Sequence, residues 1–172
     1  MGIRTFPVAG TGGMTLLSTT AITSVASISV ASINQTFTNL RIVINNYAPV
    51  TNGVGFSLTL NSLTTGIYAG NQENSSAAGS NLETNSTSLI WASAVGNASN
   101  GVYVFDIPRY TDTTSTKTIS GNGSNWDSTA TNFRVQRFVG GIRNLPAITS
   151  IQLFPSSGNW AAQGNIYVYG VN

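Results

Sequence analysis

The feature that most restricts this chain is the spacing of its apolar residues, which follows a period of two almost throughout. Leu40, Ile42 and Ile44 alternate with Arg41, Val43 and Asn45, and Phe56, Leu58 and Leu60 alternate with Ser57 and Thr59. Val102, Val104 and Asp106 oppose Tyr103, Phe105 and Ile107, while Phe133, Val135 and Arg137 oppose Arg134 and Gln136. Ile151 and Leu153 flank Gln152, and Ile166, Val168 and Gly170 oppose Tyr167, Tyr169 and Val171. Successive side chains of a strand point to opposite faces, so this pattern turns one set inward and the other outward. The 3.6-residue period of an amphipathic helix is nearly absent. Parallel strands need long crossovers, usually helical, so the sheets are expected to be antiparallel. The spacing predicts an all-β chain of about nine strands, at 22–31, 39–46, 54–60, 87–95, 101–107, 116–121, 132–139, 148–154 and 164–171. Regular short strands with turn signals between them point to a two-sheet sandwich or a barrel.

The punctuation agrees. Asn52-Gly53, Asn100-Gly101 and Asn122-Gly123 offer the positive φ angles of tight reversals, and Pro108 and Pro155 follow directly on strands. Residues 1–14 carry no steady alternation and read as an N-terminal arm ahead of one domain, 15–172. Residues 71–86 form the longest polar stretch and are expected to be a loop; loops longer than ~12–15 residues are usually functional or disordered.

Composition decides what such a sandwich can do. Ser, Thr, Asn and Gly make up 80 of 172 residues, and only 12 are charged. There is no Cys and no His, which excludes a disulfide framework, a thiolate nucleophile, a zinc knuckle and a Ser-His-Asp triad. Ile, Leu, Val and Phe still number 44, about a quarter of the chain, and the net charge is only +2, so a packed core is expected rather than disorder. The seven Lys and Arg residues are scattered (Arg4, Arg41, Arg109, Lys117, Arg134, Arg137, Arg143), unlike the clustered face of a nucleic-acid binder. The start lacks the charged and apolar regions of a secretory signal, and no stretch of about 20 apolar residues could span a membrane. A soluble protein without an export signal is the expectation. Five Asn-x-Ser/Thr sequons, at Asn34, Asn74, Asn85, Asn97 and Asn122, are what a chain this rich in those residues contains by chance.

Five carboxylates remain as candidate acids and bases: Glu73, Glu83, Asp106, Asp112 and Asp127. A glycosidase sets two across a sugar ring. Glu73 and Glu83 read more plainly as surface charge, and Asp106 as an ion pair with Arg109 or Lys117. Asp112 and Asp127 lack the Asp-x-Asp-x-Asp spacing of a calcium loop. Ser115 and Lys117 come without a strained elbow or a Gly-rich oxyanion loop, so no catalytic residue, cofactor or metal is expected. The aromatic residues carry more information. Trp91, in Leu89-Ile90-Trp91-Ala92, reads as core. Trp126 and Trp160 fall in Gly- and Asn-rich segments, where a large aromatic either packs down or anchors a partner. Phe6 and Met14 are the corresponding anchors of the arm.

The last quarter, Ala147-Ile148-Thr149-Ser150-Ile151-Gln152-Leu153-Phe154-Pro155-Ser156-Ser157-Gly158-Asn159-Trp160-Ala161 with the terminal strand through Tyr169-Gly170, resembles the closing hairpin of a group of tailed-bacteriophage virion proteins. Gln35–Ile42, and Asp106-Ile107-Pro108-Arg109-Tyr110 leading into Lys117-Thr118, are similar to the same group. The resemblance covers residues 15–172. It implies a jelly-roll-like sandwich on a phage particle: a head decoration (cement) protein, often trimeric, bound to the major capsid protein, or a tail-fibre module recognising host polysaccharide. The expectation is a non-enzymatic virion protein that self-associates as a homotrimer, with no nucleic-acid or membrane partner. The roughly 14 residues ahead of the sandwich are too few for a fibre shaft, which favours decoration.

Overall fold

The structure is a computed structural model that describes residues 13–65, 67–74, 80–86, 89–129, 131–143 and 146–172, with the backbone alone in the strands between 67 and 94. Its twelve strands are β1 (Met14–Ala21), β2 (Ile28–Val30), β3 (Asn39–Tyr47), β4 (Val54–Leu60), β5 (Ile67–Asn74), β6 (Ser80–Ser86), β7 (Leu89–Val95), β8 (Gly101–Ile107), β9 (Lys117–Trp126), β10 (Phe133–Ile142), β11 (Ile151–Pro155) and β12 (Asn165–Val171). The larger sheet runs β1-β12-β3-β8-β9-β10-β5-β6 and the smaller β2-β11-β4-β7. Every pairing between named strands is antiparallel. Nine strands have described side chains along their length, six in one sheet and three in the other. The hairpin β5–β6 and strand β7 complete the two sheets.

The alternation read from the sequence is the alternation of burial. In β3, Leu40, Ile42 and Ile44 are fully buried; in β8, Tyr103, Phe105 and Ile107; in β12, Ile166 and Val168. They meet Ile28, Val30, Phe56, Leu58, Leu60, Ile151 and Leu153 of the smaller sheet in one core. Each such side chain contributes roughly 1.5–3 kcal/mol by leaving water, which is why a one-residue slip of register, exchanging every inward side chain for an outward one, is excluded. Tyr47, Phe56, Tyr103 and Trp160 form an aromatic group inside it, Tyr47 lying 4.9 Å from Trp160 and 5.4 Å from Tyr103 between ring centroids.

Several expectations need correcting. The stretch 71–86 is not one loop: its backbone belongs to β5 up to Asn74 and to β6 from Ser80. Met14 is not part of an arm but opens β1, whose ladder with β12 begins at Met14 opposite Val171. The single strand expected at 22–31 is only the three-residue β2. Asn52-Gly53 does turn, with Gly53 at φ 76°, but Asn122-Gly123 lies inside β9. There Gly123 stands opposite Tyr103, and a Cβ at this position would come within 1.9 Å of the Tyr103 ring. The glycine is there for room, not for a turn. Phe6 and the rest of residues 1–12 lie outside the described residues, as does the side chain of Trp91.

Candidate interaction surface

Side chains at directly opposed positions of an antiparallel ladder share a face, so the registers give the outer surface of the larger sheet row by row. One row reads Leu16, Tyr169, Arg41, Asp106, Ser120, Val139, and the next Tyr167, Val43, Val104, Asn122, Arg137. Val102, Ser124 and Val135 follow, and the β9–β10 end closes with Trp126 opposite Phe133. Among the described residues nine large apolar side chains are exposed, and seven of them (Met14, Leu16, Val102, Trp126, Phe133, Val135, Val139) lie on this face. Scattered exposed apolar residues need no explanation, but seven of nine on one face make that face the candidate surface.

The local sequence builds the face deliberately at its β9–β10 end. The Asp127 carboxylate accepts hydrogen bonds from the Thr129 amide and hydroxyl, at 3.1 and 2.7 Å, and from Asn132 Nδ2 at 2.8 Å. The Asp127 amide donates to the Asn132 carbonyl at 3.0 Å. The Asn132 side-chain carboxamide and the Thr129 hydroxyl hold the Asp127 carboxyl well below the usual carboxylate range. This turn sets Trp126 and Phe133 edge to face, 5.3 Å apart at 69°. Trp126 stays 42% exposed and Phe133 55%. Of the anchors expected from sequence, Trp126 is thus on the surface, with Met14 at the far edge of the same face.

Trp160 is no surface anchor. It is fully buried, its amide donates to the Val25 carbonyl at 3.0 Å, and its ring fills the end of the core against Tyr47 and Phe56. Phe133, Val135 and Val139 were not singled out by sequence reasoning. The signal lies in the alternation of β10, where the outward set is itself apolar apart from Arg137: Phe133, Val135 and Val139.

Arg41, Asp106, Asp112 and Lys117, like Asp127, are engaged in holding structure. Arg41 and Asp106 form a two-pronged ion pair across β3 and β8, at 2.7 and 2.9 Å, so the partner of Asp106 is Arg41 rather than Arg109 or Lys117. That hydrogen bonding, opposed by partial burial, raises the Arg41 pKa above its ordinary value. Asp112 is held below the usual carboxylate range by hydrogen bonds from the Ser115 hydroxyl, at 2.5 Å, and from the Thr114 amide and hydroxyl. Lys117 is buried and its ammonium donates to the carbonyls of Asp112 and Ser115, closing the same loop. Among the described residues no three Asp or Glu side chains gather as a metal site. An open groove of about 410 Å³ between β1 and the 31–37 segment is lined by residues such as Leu17, Ser18, Ile33 and Phe37, none of them titratable.

Compared with family models, with curated proteins and with solved structures, the chain matches none.

Proposed function

We propose that this chain is a non-enzymatic structural protein of a phage virion, a capsid decoration protein that adheres to the assembled head and stabilises it. The observation that carries the reading is the outer face of the larger sheet, where, among the described residues, seven exposed apolar side chains sit beside the Arg41–Asp106 ion pair and Arg137. Such a face lowers its free energy by being covered, and a binder that engages only the assembled lattice stabilises that lattice by mass action. The strand order supports a jelly roll. With hairpins β5–β6 and β9–β10 set aside, the remaining eight strands, counted along the chain, stand 1-8-3-6 in one sheet and 2-7-4-5 in the other. Jelly rolls of eight strands serve as viral capsid and lectin domains. A surface poor in charge also loses little to salt, which suits a particle that meets many media. Mixing the purified protein with decoration-free heads tests the reading; saturable binding at micromolar concentration is expected, and no binding overturns it.

One observation favours a second reading, a tail module that binds host polysaccharide: Trp126 and Phe133 present an exposed aromatic corner on which a sugar ring could stack. Glycan-array binding abolished by Trp126→Ala would establish that reading in place of the first.

A further inference from the structure

We infer that the β8–β9–β10 part of the outer face is a twofold interface between two copies of this chain. The inference rests on the adhesive reading of that face: the pair takes its β8–β10 part, and Met14 and Leu16 at the β1 edge are the exposed apolar residues it leaves open to the particle.

The relief of the surface is the first argument. Outward from β9, ahead of Trp126 at its end, point Thr118, Ser120, Asn122 and Ser124, all small or short and polar. The strands on either side raise larger side chains: Val102, Val104 and Asp106 on β8, and Val135, Arg137 and Val139 on β10. The face is therefore a shallow trough with β9 as its floor. With a twofold axis along β9, each β8 lies over the β10 of the other copy. Val102 then meets Val135, and the Trp126–Phe133 corners come together at one end. In such an isologous contact, residue i touches j and j touches i, so every favourable pair occurs twice.

Charge chooses the occupant. The face carries both signs, an exposed Arg137 on β10 and Asp106 on β8, one row apart along the strands. Asp106 already receives Arg41, but its side chain remains 46% exposed, and a carboxylate has acceptor sites for a second guanidinium. The axis along β9 brings each Arg137 within a long side chain's reach of the other copy's Asp106. Within β8–β10 a partner of one sign would meet attraction at one residue and repulsion at the other, whereas a second copy sets each Arg137 toward the other copy's Asp106; Arg41, which already pairs with Asp106, lies on β3 outside this part of the face. Size agrees as well. The aromatic corner and the three exposed valines present on the order of 400 Å² of apolar surface, about the apolar share of a standard interface of some 800 Å² per partner.

The chain contains no cysteine, which makes the test direct. Sedimentation equilibrium of the full chain at roughly 100 µM should give twice 18.0 kDa. Val135→Lys, which sets a charge against the other copy's Val102, and Arg137→Glu, both at exposed positions, should weaken the pair at least about tenfold with unchanged circular dichroism. Asn122→Cys, on the axis, should form a disulfide-linked dimer under mild oxidation, whereas Ser29→Cys on the outer face of the smaller sheet should not. A monomer, a trimer of the kind the family resemblance implies, or a dimer indifferent to both substitutions and uncrosslinked by Asn122→Cys overturns the inference. A monomer that still binds heads leaves the decoration reading standing. A dimer with the expected variants that binds no head removes that reading and leaves the interface.

Discussion

Tyr47 and Tyr103 meet edge-on inside the sandwich, ring centroids 5.4 Å apart at 64°, yet their hydroxyls have opposite fates. Tyr103 donates to Asn125 Oδ1 at 2.8 Å, while the hydroxyl of Tyr47 is buried without a hydrogen-bond partner among the described residues. A buried hydroxyl left unpaired loses its hydration and gains nothing back.

The two tyrosines should therefore respond differently to loss of the oxygen. Tyr47→Phe is expected to be neutral or to stabilise by about 1 kcal/mol, whereas Tyr103→Phe, which strands Asn125 in the core, should cost about 1–3 kcal/mol. Urea midpoints at constant m-value check both. Burial pushes the Tyr47 phenol well above its ordinary pKa. Its contribution is thus complete below about pH 10, where an unfolded tyrosine titrates, and is lost as pH rises beyond it. Tyr47→Phe should flatten that alkaline decline.

Gly123 offers a test of why a glycine stands mid-strand. A methyl group there would lie 1.9 Å from Tyr103 Cδ1, so the ring must move out of a packed aromatic group. Gly123→Ala is expected to cost about 1–3 kcal/mol by overpacking. Gly141→Ala, whose nearest neighbour would be the Lys117 carbonyl at 3.4 Å, should be close to neutral. Thermal unfolding of the pair separates a steric role from a general intolerance of alanine in these strands.

Trp160 and Trp126 should separate core from surface in the same way. Trp160→Ala removes a fully buried indole and should cost about 3–5 kcal/mol. Trp126→Ala removes one that is 42% exposed and should shift the isolated monomer by well under half of that. Denaturation at low protein concentration keeps any self-association out of the comparison.

These contrasts show what a sequence of this kind displays and what it hides. Period-two alternation is local, so β3, β4, β8 and β12 are legible from residues such as Leu40, Ile42 and Ile44 alone. Strands β5 (IYAGNQEN) and β6 (SNLETNS) hold too few apolar residues to alternate, and it is the ladder between β5 and β10, Val135 opposite Asn74 through Ile142 opposite Ile67, that makes β5 a strand. Asn122-Gly123 has the letters of a hairpin, but Tyr103 across the ladder needs the space above Gly123. Trp160 sits among Gly, Ser and Asn, yet its amide and ring are fixed by Val25 and Tyr47, both remote in sequence. The outward apolar set of β10 is local, but only the register joins it to Val102 of β8 and so makes a face of it.

The β9–β10 turn gives the last prediction, one in pH. In the folded state the Asp127 carboxyl titrates below its unfolded value, because Asn132 and Thr129 donate to the ionised form. A depressed folded pKa means a contribution that is present above about pH 4, where an unfolded aspartate is ionised, and that is lost as pH falls toward the folded pKa. Asp112, held by Ser115 and Thr114, acts in the same direction. Melting temperature should accordingly be level from pH 7 to about 5 and fall steadily below about 4. Asp127→Asn should lower it at neutral pH and shallow the acid decline, while leaving the part due to Asp112. Because this turn seats Trp126 against Phe133, the same variant should also weaken whatever contact the outer face makes, and an unchanged acid slope would mean that the carboxylate does not hold the corner.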